Sequence, residues 1–216
     1  MQKPRAIVFD ADGTLFDTFE LIVSAYKHVA ETHGLRVPSP EEVRVQLGKA
    51  LPDIFRHFYP DLDIDMLLHT NNEYFAANTM NSDAFEGVAE LLADLKAQGI
   101  KLAILTGGGS KVHDVIRQHG LETYFSSVVH HERVKRSKPD PEGFLLACRE
   151  CGVEPGQTIM VGDTVQDIEA GKNAGAFATI AVTHGFGLLE DLQNTGPSYI
   201  VSDIAGIKEV ISKLIY

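Results

Sequence analysis

The chain has 216 residues, 44% of them hydrophobic, with 19 Lys and Arg against 30 Asp and Glu and a formal net charge of −11 with histidine neutral. That is enough apolar material for one large packed domain or for a core with a smaller insert, and it argues against wholesale disorder. The acidic balance argues against a nucleic-acid backbone as the main partner, and no apolar run approaches the ~20 residues that span a bilayer.

The N-terminal Met1-Gln-Lys-Pro-Arg5 shows no signal-peptide pattern, so a cytoplasmic setting is expected. Ala6 to Phe9 is a short apolar run with β-branched members and reads as a fully buried strand. It stops abruptly in Asp10-Ala-Asp12-Gly13-Thr14. Two carboxylates at i and i+2 repel each other, so the pair calls for a metal or a shared proton; the alternative is an acidic turn that caps the next helix.

From Leu15 and Phe16 the apolar period becomes helical and continues to Gly34, with Asp17 or Thr18 available as a cap. Pro38-Ser39-Pro40-Glu41-Glu42 is a helix-start signal, and that helix runs to Gly48. Leu51 to Phe58 reads as a short helix entered through Pro52, and Asp63 to Met80 as a longer amphipathic one. The stretch from Asp17 to Asn81 therefore holds no strand candidate, and it is too long for an ordinary crossover in a parallel sheet. It reads as a small helical insert, residues 17–82, standing over the sheet edge of a core made of residues 1–16 and 83–216.

Beyond it strands and helices alternate. Gly87 to Gln98 is a helix, Ile100 to Leu105 a buried strand, Lys111 to His119 a helix and Phe125 to Val129 a short strand. Pro141 starts a helix through Cys151, Gln157 to Val161 is a strand, and Thr164 caps a helix that Gly175 ends. Phe177 to Val182 and Tyr199 to Val201 are further strands, and Ile204 to Ile215 is a terminal helix. The alternation predicts an α/β fold with a doubly wound, Rossmann-like parallel sheet.

Four of these strands end in an unusual polar group: Asp10 with Asp12, Thr106 with Gly107-Gly108-Gly109, the loop bearing Lys138, and Asp163. In a parallel sheet all four ends lie on one edge, where ligands bind. Each group has a chemical reading there. The Asp10 carboxylate can act as a nucleophile and form an acyl-phosphate. A hard cation such as Mg²⁺ and the Lys138 ammonium supply the positive charge that attack on a phosphate needs. Thr106 and the backbone N–H groups of Gly107 and Gly108 can donate to phosphate oxygens, and Asp12 can protonate the leaving oxygen and then activate water.

Lesser candidates divide two ways. Cys148 and Cys151 have redox or half-zinc spacing but no second pair, and read as ordinary helix cysteines. Gly107 to Lys111 lacks P-loop spacing. Lys49 either reaches down to a substrate or is a solvated lysine. His130-His131-Glu132 reads as loop, because adjacent residues point to opposite faces. His184 either lines the site mouth or does not.

Asp10-Ala-Asp12-Gly-Thr-Leu-Phe-Asp17, Thr106, Ser137-Lys138-Pro139 and Gly162-Asp163-Thr-Val-Gln-Asp167-Ile resemble the four ordered motifs of the haloacid dehalogenase-like hydrolase superfamily. With Thr183-His-Gly-Phe-Gly187, the chain is most similar to the phosphoglycolate phosphatase group, which carries a helical cap between the first two motifs. The resemblance implies that Asp10 is the phosphorylated nucleophile and Asp12 the general acid/base. It implies Mg²⁺ held by the Asp10 carboxylate, the Asp12 backbone carbonyl and Asp163, with Asp167 supporting the metal shell or Lys138. Thr106 and Lys138 would bind the transferring phosphoryl group. The expected activity is hydrolysis of a small phosphorylated metabolite, phosphoglycolate first, by a monomer or homodimer. A pyrophosphatase or sugar-phosphate mutase on the same scaffold is the alternative, and a non-catalytic binding protein the alternative of another class. The acid at Asp12 disfavours dehalogenation and C–P cleavage. One departure stands out: Gly107-Gly108 replaces the polar pair, often Asn-Lys, that usually follows the Thr.

Overall fold

The structure, a computed structural model, describes residues 3–79 and 82–215. Its centre is a six-stranded sheet in which every pairing is parallel, ordered β5-β4-β1-β6-β7-β8. The strands are β1 (Ala6–Phe9), β4 (Lys101–Leu105), β5 (Phe125–Val129), β6 (Thr158–Gly162), β7 (Ala178–Val182) and β8 (Tyr199–Val201). β1 sits between β4 and β6 with Phe9 level with Ile104 and Val161, so the residues that follow these strands emerge side by side.

All four β1 side chains are fully buried, as a strand covered on both faces requires. Alternation then sorts them. Ile7 and Phe9 join the cluster formed with α5 (Val88–Ala97), α6 (Val112–Gln118) and α10 (Ile204–Ile215). Ala6 and Val8 pack on the other face against Phe144, Ala147, Cys148 and Cys151 of α7 (Glu142–Cys151). Burying a side chain such as Phe9 or Ile7 contributes about 1.5–3 kcal/mol, which makes this strand the anchor of the whole layer. Both cysteines are free thiols and part of that apolar face.

The helical stretch is α1 (Phe19–Thr32), α2 (Pro40–Gln46), α3 (Leu51–Phe58) and α4 (Ile64–Asn78). It has an apolar centre of its own, with Ile22, Tyr26 and Val29 of α1 against Val43, Ile54, Phe55 and Leu67. Ser39 and Glu42 form a reciprocal capping box at the head of α2. The expected end of the fourth helix at Met80, and Asn81, lie outside the described residues.

Two features depart from the sequence reading. Leu15 and Phe16 are not the start of a helix. Phe16–Asp17 is a two-residue strand, β2, paired antiparallel with β3 (Asp83–Ala84), so the chain leaves and rejoins the core through one ribbon. The helix starts at Phe19, and Thr18 at its N-cap position makes no capping hydrogen bond. The second is α9 (Leu189–Thr195), a seven-residue helix between β7 and β8 that periodicity did not reveal. The helix α8 (Val165–Asn173) begins as expected at Thr164.

Candidate active site

The four strand ends do converge. Asp10 follows β1, and its backbone N–H donates to Val161 O at 2.8 Å; Thr106 follows β4 and donates to Val129 O at 2.9 Å; Asp163 follows β6. Lys138, 128 positions beyond Asp10, reaches across underneath: its Nζ donates to Asp10 Oδ1 at 2.6 Å, to Asp167 Oδ1 at 2.5 Å and to the Leu105 carbonyl at 3.3 Å. All three of these charged side chains are buried.

Asp167 is held twice over. Its Oδ2 accepts from the Thr164 hydroxyl and backbone N–H, so the carboxylate that fixes Lys138 is also the capping box of α8. Asp163 accepts from the Thr14 hydroxyl at 2.7 Å and from the Phe186 N–H at 2.7 Å. Asp12 accepts from the Thr18 hydroxyl at 2.9 Å and the Thr106 hydroxyl at 3.2 Å. Thr14, Thr18 and Phe186 are the partners that sequence reasoning missed. The signal for the two threonines was there: Thr14 lies in the turn that follows the acidic pair and Thr18 just ahead of the first helix, both places where hydroxyls satisfy neighbouring polar groups.

Carboxylate oxygens of Asp10, Asp163 and Asp167 all lie within 4.8 Å of one another. The Asp12 carboxylate stands outside this triad, and the place that the resemblance gives it in a metal site belongs to its backbone carbonyl. With Asp12 included, four carboxylates face one ammonium. The electrostatics reflect that deficit. Burial pushes the Asp10 carboxyl well up, against the pull of Lys138, and neighbouring Asp167, Asp163 and Asp12 push the same way. Burial likewise pushes Asp163 up to about 7, with Asp167 adding to it. Burial raises Asp12, partly offset by its two threonine partners. Burial alone would lower Lys138, but Asp10 and Asp167 overcome it and hold the ammonium above its ordinary value. A buried, oxygen-only donor set short of positive charge is what a hard divalent cation such as Mg²⁺ fits.

Above this floor lies a cavity between the sheet edge and the helical insert. Asp10, Asp12, Thr106 and Lys138 form its charged side, and Ile22, Leu47, Ile54 and Phe75 contribute an apolar one. Lys49 lines it too, with its ammonium donating to Gln46 Oε1 at 2.7 Å. Gly107 and Gly108 line it as expected, though the Gly108 N–H is taken by Thr106 Oγ1 at 3.0 Å. Tyr26 and Asn71 are buried lining residues whose hydroxyl and Oδ1 have no hydrogen-bond partner.

His184 does not line this cavity. Its ring nitrogens meet the Thr14 and Ser202 carbonyls and its ring packs 4.3 Å from Phe85, so it ties the acidic turn to the core. His131, Glu132 and Arg133 form a 3₁₀ turn beside the glycine loop, where Glu132 accepts from Ser110; among the described residues they assemble no metal-binding group. No helix among the described residues is long and apolar enough to cross a membrane.

Comparison with known proteins gives the family. The family model described as haloacid dehalogenase-like hydrolase matches residues 7–182. The chain is 32% identical to the pyrophosphatase PpaX of Bacillus velezensis, over 97% of each chain. It is also 32% identical to the N-acetylmuramic acid 6-phosphate phosphatase of Pseudomonas putida, over 92% of each. A solved structure described as a predicted phosphoglycolate phosphatase from Haemophilus somnus superposes with a TM-score of 0.88 at 25% identity, covering 97% of this chain and 99% of the other. The chain belongs to the haloacid dehalogenase-like hydrolases, among their phosphatases.

Proposed function

We propose that this phosphatase hydrolyses a small phosphorylated metabolite through a phosphorylated Asp10, with Mg²⁺ as its cofactor. The observation that carries the reading is the buried Lys138 bridging Asp10 and Asp167 while Asp12 stands beside them on two threonine hydroxyls. Lys138 holds Asp10 in place and pulls against the burial that favours its protonated form. Asp10 attacks phosphorus, forming an acyl-phosphate bond as the ester P–O bond breaks, and the proton on Asp12 passes to the leaving oxygen. Water then attacks the same phosphorus, Asp12 takes its proton, and inorganic phosphate leaves with Asp10 restored. The raised Asp12 carboxyl suits a group that must begin the cycle protonated. Thr106, whose hydroxyl lies between Asp12 and the glycine loop, would turn to a phosphoryl oxygen when substrate binds, a reading its position supports.

Asp10 and Asp163, with the Asp12 carbonyl, would hold Mg²⁺, and Asp167 would support them through Lys138. The ion supplies positive charge to the transferring phosphoryl group when bound. The helical insert, residues 17–82, acts as a cap that excludes water from the first step and contributes the contacts that select the organic group, Lys49 among them. Phosphoglycolate heads the candidates. Pyrophosphate and N-acetylmuramic acid 6-phosphate, named for relatives, follow it. We take the setting to be cytoplasmic, in keeping with two unpaired buried cysteines.

The test is phosphate release from a panel of these compounds, hexose phosphates and nucleotides, with Mg²⁺ and with EDTA. Mg²⁺-dependent release with one preferred substrate is expected. No release from any compound by a folded, Mg²⁺-binding protein would overturn the reading and turn attention to a mutase or a binding module.

A further inference from the structure

The departure after Thr106 has a spatial counterpart. Gly107 does not have a left-handed backbone, so torsion does not demand glycine there. Space does. A Cβ on Gly107 would lie 2.5 Å from the Lys49 carbonyl oxygen and 3.6 Å from that of Gly48, and its three nearest atoms all belong to the loop between α2 and α3. A main-chain hydrogen bond ties that loop to the same spot, from Leu51 N–H to Gly107 O at 3.1 Å. On its other flank the loop presses on the head of α8, where a Cβ on Gly48 would come within 2.6 Å of Thr164 Oγ1 and 2.7 Å of Gln166 Oε1. Residues 48–51 are thus wedged between two rims of the strand-edge crevice.

Gly108, one position on, has different neighbours. A Cβ there would meet only Thr106 Oγ1 at 3.3 Å and Asp12 Oδ2 at 3.4 Å, both groups of the core. Two adjacent glycines therefore face two different partners, one the cap and the other the reacting centre.

We propose that Gly107 is the seat on which the cap closes. Having no side chain, it lets the main chain of residues 48–51 lie directly on the main chain of the loop after β4. A side chain at 107 would hold that loop away, so its absence exchanges a side-chain contact for a closer lid. Gly107 is in these terms a positioning residue, acting through the cap on how well water is kept from Asp10. The inference rests on the reading of the insert as a cap over a phosphatase site. Part of its test needs no activity.

The experiment compares the full chain carrying Gly107→Ala with wild type and Gly108→Ala. Alanine is conformationally permitted at 107, whereas at Gly48 a φ of +93° would add strain of its own. In Gly107→Ala, amide exchange over residues 47–58 should quicken about tenfold or more while β1, β4 and β6 stay protected, and in Gly108→Ala that segment should stay as in wild type. The kcat/KM for the preferred metabolite should fall about tenfold or more, but far less for an aryl phosphate whose good leaving group needs neither protonation nor a closed cap. Unchanged exchange over 47–58 in Gly107→Ala would overturn the seat. An equal loss on both substrates would assign Gly107 to the core chemistry instead. Should Gly107→Ala fail to fold, Leu51→Pro decides. It removes the same hydrogen bond at the first position of a helix, after an already extended Ala50, and should loosen the cap in the same way. Absence of phosphate release by wild type would count against the phosphatase reading and leave the exchange result standing on its own.

Discussion

The two sides of the cavity are built on opposite terms. The sheet edge concentrates charge: Asp10, Asp163, Asp167 and Lys138 are buried, and each is tied to named partners in the segments that follow the strands or at the head of α8. The helices opposite present Ile22, Leu47, Ile54 and Phe75, with two polar atoms left unmatched. Buried charges tolerate little displacement, because a shift of an ångström leaves one of them unpaired in a low dielectric. Apolar helix faces tolerate far more. With the proposed reaction on the first kind of surface and selection on the second, a change of substrate would leave the chemistry in place.

Substitutions on the charged side test this hardest. Asp10→Asn removes the proposed nucleophile, and turnover should vanish while circular dichroism shows the fold intact; retained activity would remove Asp10 from that role. Asp12→Asn should slow turnover by roughly 10²–10⁴-fold, the usual contribution of a positioned acid/base, and a loss of only a few-fold would place the acid elsewhere. Lys138→Met leaves Asp10 and Asp167 without their cation, and urea denaturation at neutral pH should show a loss of about 3–5 kcal/mol. That loss should shrink as the solution is acidified, because the stranded Asp10 carboxylate, already raised by burial, can then protonate.

Metal addition sharpens the contrast, since the proposed Mg²⁺ site draws on the charged side only. Asp163 is raised from the ordinary carboxylate value to about 7, so its ionisation disfavours the metal-free fold as pH climbs through the window from about 4 to 7. Mg²⁺ requires the ionised form, and the rise in melting temperature it produces should be larger at pH 8 than at pH 5.5. An increment independent of pH would detach the ion from Asp163. The smallest effect belongs to the helices. Tyr26→Phe deletes a buried hydroxyl that has no partner, so the fold should be unchanged or more stable by up to about 1 kcal/mol in the same urea assay.

This contrast also explains what could be read from the chain itself. Asp10, Thr106 and Asp163 were legible because each directly follows a buried strand, and parallel strands must end on a common edge. Asp167 was legible as an acid of the site through the resemblance, while its double duty, clamping Lys138 and capping α8, needed coordinates. The β2–β3 ribbon was not legible: two residues are too few for a period, and their partners lie far down the chain. Leu15 and Phe16, apolar and next to a helix, imitated its first turn. α9 escaped for a similar reason, its seven residues carrying only one buried side chain, Leu192. His184 was ambiguous because a histidine in a glycine-rich loop suits a site mouth and a carbonyl clamp equally well, and only the Thr14 and Ser202 carbonyls decide between them.

The ribbon has a consequence for how such a protein can be remade. Phe16 pairs with Ala84 and Asp17 with Asp83, so to the sheet everything between them amounts to one hairpin loop. Loop-closure entropy grows only logarithmically, and a connection of roughly 65 residues costs about 2–3 kcal/mol more than a four-residue turn. A graft need only present two ends a strand-spacing apart. On this entropy alone, shortening or exchanging the helical segment is expected to leave the register of the sheet beneath unchanged.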